Sequence, residues 1–208
     1  MKIEKLVFVA LICSFITFNV NAQSKTGLKF GANFTNLYVD EVDDNNMKIG
    51  FNAGLYHREY LTKNIAIQPE VLFSQKGSSV KYEGGFLSGS GTYRYNLNYL
   101  EVPVLAMIKL SNFYVSAGPY AGLLLSVNIK DVNDDGDIQE IENLDRDDFN
   151  TLDYGVAVGA GFDFDGGTFG LRYNYGMNEL GKEGTFAGQA INNAKNSALQ
   201  LFIGFDLN

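Results

Sequence analysis

Residues 152–163 have the sequence LDYGVAVGAGFD, in which large apolar side chains and small or charged ones alternate. Successive side chains of a β-strand point to opposite faces of a sheet. One face of this strand would therefore be apolar throughout, whereas the other would carry glycines, an alanine and the carboxylates of Asp153 and Asp163. Roughly ten residues of such alternation match a tilted strand that crosses a bilayer. The stretch therefore predicts a membrane-crossing β-strand.

The same alternation occurs in five other stretches of the chain. In each of them, aliphatic or aromatic residues share one parity, while small, polar or charged residues are frequent on the other. A period of two residues is typical of a strand whose two faces meet different environments. These stretches cover residues 28–34, 65–74, 99–108, 169–176 and 199–207.

The connections between the strands alternate in length. Three short turns and four long polar loops imply eight strands, with both chain ends on the side of the short turns. This count predicts an all-β fold, an eight-stranded antiparallel up-and-down transmembrane β-barrel whose short turns face the periplasm and whose long loops face the cell exterior. The predicted turns lie near residues 62–64, 110–112 and 165–167, and the loops at 39–47, 77–92, 128–150 and 177–194.

A soluble barrel or sandwich would show the same alternation, but three features favour the membrane. The apolar face extends along whole strands, the opposite face is rich in glycine and charge, and the long loops all lie at one end. A soluble barrel keeps its large apolar residues inside and has no reason to segregate its loops. Closure also removes exposed strand edges. We therefore predict that the chain lies in the lipid bilayer of the bacterial outer membrane.

The first residues have the features of a secretory signal peptide. Lys2 and Lys5 precede an apolar segment at residues 6–18, and Ala22 ends a VNA sequence that a signal peptidase would cut. The segment is too short to span a membrane. Cys13 lies within it but lacks the small preceding residue of a lipoprotein site. The predicted organisation is a signal peptide at residues 1–22 and one outer-membrane β-barrel domain at residues 23–208.

The mature chain would be acidic and would contain no cysteine. Cleavage removes Lys2, Lys5 and Glu4, which takes the formal charge from −8 to −9. Such a charge repels nucleic acid and suits a divalent cation, and the lack of cysteine excludes disulfides and thiol catalysis. No apolar run of about 18 residues follows the signal peptide, which excludes a helical membrane protein. We expect a monomer with no nucleic-acid partner.

Charged residues fall on the polar parity of four predicted strands. Glu70, Glu101 and Arg172 do so directly, and Arg58 joins them if the second strand keeps its register. An unpaired charge inside a narrow barrel costs several kcal/mol, so these charges must pair. We predict an interior ion-pair network that acts as a structural plug. The alternative is a proton or ion pathway, which is disfavoured because eight strands leave an interior just wide enough for side chains.

The sharpest local motif lies in the third long loop, where residues 131–142 have the sequence DVNDDGDIQEIE. Oxygen-bearing side chains occupy ligand positions of the EF-hand pattern, and Gly136 stands at its sharp turn. Over these residues the loop resembles EF-hand and dockerin-type calcium loops. No helix is predicted before it, and a solvated acidic loop is the alternative. The predicted Ca²⁺ ligands are Asp131, Asn133, Asp135, Asp137 (through its carbonyl) and Glu142.

Signatures of catalysis are weak. His57 is the only histidine, and it is predicted on the lipid-facing parity near a short turn, where no nucleophile can be traced beside it. The glycine-rich stretch GGFLSGSG at residues 84–91 lacks the lysine that follows a phosphate-binding loop. We therefore predict that the protein is not an enzyme.

Several motifs, in order along the chain, resemble those of the PorT-type outer-membrane β-barrel family of Bacteroidetes. The resemblance implies an eight-stranded barrel in the outer membrane and little about activity. One branch of the family takes part in protein secretion across that membrane. The motifs include IQPE at residues 67–70, YLEVP at 99–103, GPY at 118–120, and RY at 172–173 before YG at 175–176.

Three classes of function stay open at this point. The first is a structural or surface-interaction protein that acts through its extracellular loops on an unidentified surface or envelope protein. The second is a component of a machine for protein export or envelope assembly, which only the family resemblance implies. The third is a membrane-embedded lipid-modifying enzyme, which would need a catalytic group near the membrane surface. The sequence favours the first class.

Overall fold

The computed structural model describes residues 24–38, 47–82, 91–133, 138–144, 146, 149–182 and 194–207. Over these ranges, no helix is long and apolar enough to cross a membrane. The described chain forms nine strands: β1 (Lys25–Tyr38), β2 (Lys48–Tyr60), β3 (Ile65–Tyr82), β4 (Gly91–Leu110), β5 (Phe113–Asn133), β6 (Ile138–Leu144), β7 (Leu152–Phe164), β8 (Gly167–Glu179) and β9 (Lys195–Asp206). The predicted signal peptide lies outside the described residues.

Eight of these strands close into a barrel. All neighbouring pairs are antiparallel, in the order β4-β3-β2-β1-β9-β8-β7-β5, and β5 pairs with β4 to complete the ring. This confirms the predicted eight-stranded antiparallel barrel. The remaining strand, β6, lies outside the ring, and it pairs with β5 beyond the point where β7 leaves that strand.

The short connections lie where the sequence predicted them. Residues 61–64 join β2 to β3, Ser111 and Asn112 join β4 to β5, and Asp165 and Gly166 join β7 to β8. Gly166 has a φ of 81° and Ser111 a φ of 62°, in the left-handed region that tight turns use. Because β1 begins and β9 ends at this same side, the long connections all lie at the opposite end of the barrel.

The apolar side chains face outward and the polar side chains face inward, as predicted. Apolar residues of one parity are exposed on the outer wall, where Val158 is 51% exposed and Phe30 is 46% exposed. Residues of the other parity are buried, and Asn33 and Glu70 have no exposed surface. An apolar outer belt around a polar interior is the arrangement that a bilayer imposes on a spanning barrel.

Two of the predicted long loops are in part strand, which corrects the sequence prediction. β3 continues to Tyr82 and β4 begins at Gly91, so both ends of the predicted loop 77–92 are paired strand. Likewise, β5 continues to Asn133 and β6 follows within the predicted loop 128–150. These segments lack clear apolar alternation because a sheet outside the bilayer needs no lipid-facing side. We call residues 75–82, 91–98, 126–133 and 138–144 the extracellular sheet.

Glycines on the inner parity make room for tyrosine rings. A Cβ atom on Gly161 would lie 2.3 Å from the Oη atom of Tyr114, and one on Gly27 would lie 2.5 Å from the Oη atom of Tyr56. Protein interiors are too closely packed to absorb such overlaps without movement. The glycine-rich parity thus provides the space that aromatic rings occupy inside the barrel.

Candidate functional site

Buried ion pairs form three centres in the described interior of the barrel, and the middle centre surrounds Glu70. Arg172 donates to both carboxylate oxygens of Glu70 at 2.8 and 2.6 Å, and Nζ of Lys29 donates to both at 3.1 Å. Gln68 donates a further hydrogen bond of 2.7 Å. The Nζ atom of Lys29 lies 3.7 Å from the ring centroid of Phe202, a cation–π contact. Two cations share one carboxylate, so this centre has a surplus positive charge.

The second centre lies toward the short turns. Arg58 donates from Nη1 to both oxygens of Asp163 at 2.9 Å, and from Nε to Gln68 at 2.7 Å. The Nζ atom of Lys109 lies 2.8 Å from Asp163. Because Gln68 accepts from Arg58 and donates to Glu70, its amide connects this centre to the middle one.

The third centre lies toward the extracellular end and is formed by Lys76 with two carboxylates. Lys76 pairs with Glu101, and its Nζ atom lies 2.9 Å from Oδ2 of Asp153. Tyr120 also donates to this oxygen at 3.4 Å. Gly122 stands between Glu101 and Asp153 in the strand register, so no side chain separates the two carboxylates. One cation between two carboxylates leaves a surplus negative charge, opposite to that of the middle centre.

The four residues predicted to form one interior network are all buried, but the structure divides them among three centres. Only Glu70 and Arg172 pair with each other, while Arg58 and Glu101 have other partners. The ion-pair partners that the sequence prediction missed also lie on the polar parity of their strands. They would have been found if every charged residue on that parity had been assigned to the interior. The missed partners are Lys29, Lys76, Lys109, Asp153 and Asp163.

Two buried amides near the middle centre have no hydrogen-bond partner among the described residues. Asn174 is 1% exposed and Gln200 is fully buried, and neither the nitrogen nor the oxygen of either amide is bonded. The Nε atom of Arg172 and the Oδ1 atom of Asp153 are unbonded as well. An unsatisfied buried polar group costs about 1–3 kcal/mol. Four such side chains would therefore offset much of the free energy of unfolding of a protein domain, which is roughly 5–15 kcal/mol.

Apolar side chains form two buried clusters toward the two ends of the barrel. At the extracellular end, Phe149 and Leu180 pack with residues of β4 and β5 in one buried cluster. At the short-turn end, a second buried cluster includes the aromatic ring of Tyr114. Over the described residues, the barrel interior therefore contains apolar clusters as well as ion pairs. The first cluster contains Leu97, Tyr99, Leu124, Val127, Phe149 and Leu180, and the second contains Ala66, Met107 and Tyr114, with Tyr60 packed against it.

A pocket of about 430 Å³ opens at the short-turn mouth of the barrel. Three lysines contribute to its lining, but Lys25 pairs with Asp206 and Lys109 pairs with Asp163. These pairs weaken any preference of the pocket for an anion. The lining residues are Lys25, Tyr60, Lys63, Asn64, Lys109 and Ser111.

A hydroxyl group lies beside His57, contrary to the expectation from the sequence. Oγ1 of Thr26 is 2.8 Å from Nδ1 of His57, and Oε2 of Glu59 is 3.6 Å from Nε2 of the same ring. Acyl transfer also requires N–H donors for the developing oxyanion. Here β1 and β2 each pair on both sides, so their backbone N–H groups are engaged in the sheet. The arrangement fits a polar cluster at the membrane boundary better than a hydrolase site.

The predicted calcium ligands lie in or between two paired strands. Asp131 and Asn133 belong to β5, and Glu142 belongs to β6, while Asp135 and Asp137 lie outside the described residues. The backbone pairs Asp131 with Glu140 and Ile129 with Glu142. The described residues on both sides of the gap thus form two paired antiparallel strands, and calcium binding stays a prediction.

A closed antiparallel barrel with an apolar outer wall, a charged interior and long connections at one end defines a class, that of outer-membrane β-barrel proteins. Residues 21–181 match the family described as Outer membrane protein beta-barrel domain, and the chain belongs to this family. The protein is therefore located in the bacterial outer membrane.

Solved outer-membrane barrels are similar to this chain. Ail of Yersinia pestis, in complex with the heparin analogue sucrose octasulfate, is 14% identical, with 88% of this chain and 99% of Ail covered and a TM-score of 0.47. Neisserial surface protein A is 11% identical, with 88% and 97% covered and a TM-score of 0.46. The N-terminal β-barrel domain of Pseudomonas aeruginosa OprF is 15% identical, with 89% and 100% covered and a TM-score of 0.36. Among curated proteins, none matches the chain.

Proposed function

We propose that this chain is a non-enzymatic, monomeric surface-interaction protein, and that the extracellular sheet is its contact surface. The observation that carries the proposal is the length of the strands that form this sheet. A strand of about ten residues suffices to cross a bilayer, yet β4 has 20 residues and β5 has 21. The additional length places paired, ordered backbone outside the membrane, where another protein can meet it.

The edge strand β6 offers a way to bind such a partner. Of the described strands, β5 alone pairs with β6, so one side of this seven-residue strand presents backbone donors and acceptors. An extended segment of another protein can add to such an edge as a further strand. Residues 128–150 contain nine acidic and two basic residues. Charge complementarity therefore favours a cationic partner segment.

Calcium would order the hairpin that forms this edge. Asp131 and Glu140 are directly paired positions in the β5–β6 register, and like charges at such positions destabilise a strand pair. A divalent cation bound by the carboxylates and amide of residues 131–142 would offset this repulsion. Calcium binding and partner binding at β6 are thus expected to reinforce each other.

A calorimetric titration of the refolded mature protein in detergent tests the calcium proposal. We expect saturable one-site binding that Glu142→Gln weakens. Asp44→Asn is the matched control, because it removes an acidic side chain from another predicted loop without touching the hairpin. No heat above dilution, or an equal loss in both variants, would reject the calcium site.

Photocrosslinking in intact cells tests the contact surface. A photoreactive residue replaces Ile141 in β6 and, as the control, Phe205 on the outer wall of β9. We expect protein adducts from position 141 but not from position 205. In a second chain, the photoreactive residue stands at position 139, and there the substitution Ile141→Pro should abolish the adducts. Cells that yield no adduct at β6 would contradict the proposal.

The resemblance to PorT-type barrels supports a second candidate, a component of an export or envelope-assembly machine. Partners in such a machine would also contact the periplasmic side, where residues 61–64 form a turn. A photoreactive residue at Lys63 distinguishes the candidates. Adducts with envelope proteins at Lys63 but not at Ile141 would favour the machine component over the surface protein.

A further inference from the structure

Unbonded polar atoms follow one another along the inner face of β8, between the middle and extracellular ion-pair centres. Arg172 is paired with Gln200 in the β8–β9 register, and Asn174 is the next inward residue of β8. The inward position after it is Gly176, where a Cβ atom would lie 3.2 Å from Oδ1 of Asp153. The unbonded atoms of Gln200, Arg172, Asn174 and Asp153 therefore border one part of the interior.

The residues beside Asn174 are small and apolar. Its register partners are Ala157 on β7 and Ala198 on β9, and both are fully buried. An alanine side chain offers no hydrogen-bond donor or acceptor, and it leaves uncovered the volume that a larger side chain would fill. The neighbouring strands therefore border the Asn174 amide without bonding to it.

We propose that water molecules bind at this place and bridge the amides of Asn174 and Gln200 to Nε of Arg172 and Oδ1 of Asp153. The unbonded set combines donors, namely an arginine N–H and two amide NH₂ groups, with acceptors, namely two amide carbonyls and a carboxylate oxygen. Water both donates and accepts, so it suits this mixture better than an anion or a metal ion does.

The bound water connects two centres of opposite surplus charge. Arg172 belongs to the positive middle centre and Asp153 to the negative extracellular centre, and no direct hydrogen bond between these two residues is formed within the described structure. Water-mediated hydrogen bonds are nearly as favourable in enthalpy as direct ones. Because the Asn174, Gln200 and Arg172 side chains are almost completely buried, this water exchanges slowly with the solvent.

Nuclear Overhauser effects between water and side-chain amide protons test the proposal on the ¹⁵N-labelled mature protein in detergent micelles. We expect cross-peaks with the sign of long-lived water at the NH₂ groups of Asn174 and Gln200. Asn33 is the internal control, because its equally buried Nδ2 donates to Ser74 at 3.0 Å and to Phe51 at 3.1 Å. Spectra without water cross-peaks at either amide, or with equal ones at Asn33, would overturn the proposal.

Two apolar variants of similar size supply an independent test. If water is bound, Asn174→Leu and Gln200→Met each lower the midpoint of urea unfolding, and the double variant loses less than the sum because both amides bond to the same water. If the interior is dry, each substitution removes an unsatisfied amide and therefore raises the midpoint of urea unfolding. A raised midpoint would refute the proposal. If neither variant folds, the spectra of the unchanged protein decide.

Discussion

Glu70 on β3 and Arg172 on β8 are joined across the barrel by two hydrogen bonds, of 2.6 and 2.8 Å. Three strands, β2, β1 and β9, separate β3 from β8 along the sheet, so the two walls share no backbone hydrogen bonds. The ion pair therefore connects parts of the barrel that are otherwise held together only through the intervening strands. Both side chains are almost completely buried, so bulk solvent does little to screen their attraction.

Removal of Arg172 tests this connection. Arg172→Ala removes two hydrogen bonds from Glu70 and leaves it buried with Lys29 as its remaining cation, so the expected loss is smaller than the roughly 3–5 kcal/mol of a buried charge left with no partner. We expect a clear decrease in the midpoint of urea unfolding. The triple variant Lys29→Met, Glu70→Gln and Arg172→Met should recover part of the loss, because it removes all three charges of this centre. Equal stability of Arg172→Ala and the unchanged protein would contradict a structural role.

The filled interior predicts that the barrel does not conduct. In planar bilayers we expect no steady conductance from the unchanged protein, because buried ion pairs and apolar clusters both occupy the described interior. Arg172→Ala should also stay closed, since neither apolar cluster includes that side chain. A known porin, inserted under the same conditions, is the positive control. Stable open channels in the unchanged protein would refute the plug and revive the ion-pathway alternative.

Lys76 is expected to be the most sensitive position of the extracellular centre. Lys76→Met leaves Glu101 and Asp153 facing each other without a cation, so unfolding should become easier by about 3–5 kcal/mol. Adding Glu101→Gln to this variant removes one of the two repelling charges and should restore part of the stability. Urea unfolding of the single and double variants measures both effects. A double variant less stable than Lys76→Met would argue against the assigned pairing.

Gly161→Ala should destabilise the barrel through overlap with an aromatic ring. The added Cβ would lie 2.3 Å from Oη of Tyr114, and such overpacking typically costs about 1–3 kcal/mol. Gly122→Ala is the matched control, because its Cβ would be no closer than 3.4 Å to any side-chain atom. We expect a lower unfolding midpoint for the first variant and little change for the second. Similar midpoints would show that Tyr114 moves aside freely.

Local patterns could predict only part of the extracellular side. The alternation at residues 152–163 identifies a spanning strand, because a strand in lipid requires one apolar face. Residues 91–98 belong to the extracellular sheet, where no apolar face is required, so the same rule does not predict that they pair. The acidic segment 131–142 matched a metal-binding pattern, yet the same residues lie in and around a hairpin whose existence depends on pairing with β5. Thr26 and His57 meet for a similar reason, as cross-strand partners of β1 and β2.

By itself, the sequence determined the wall of this protein: the number of strands, the parity that faces lipid, and the end that carries the long connections. These features are local, because each crossing strand must satisfy the bilayer separately. Only the tertiary structure decided the interior. Arg58 and Asp163 are 105 residues apart, and Glu70 and Arg172 are 102 apart. Which charges meet depends on the stagger between strands when the sheet closes, and that stagger is a property of the whole ring.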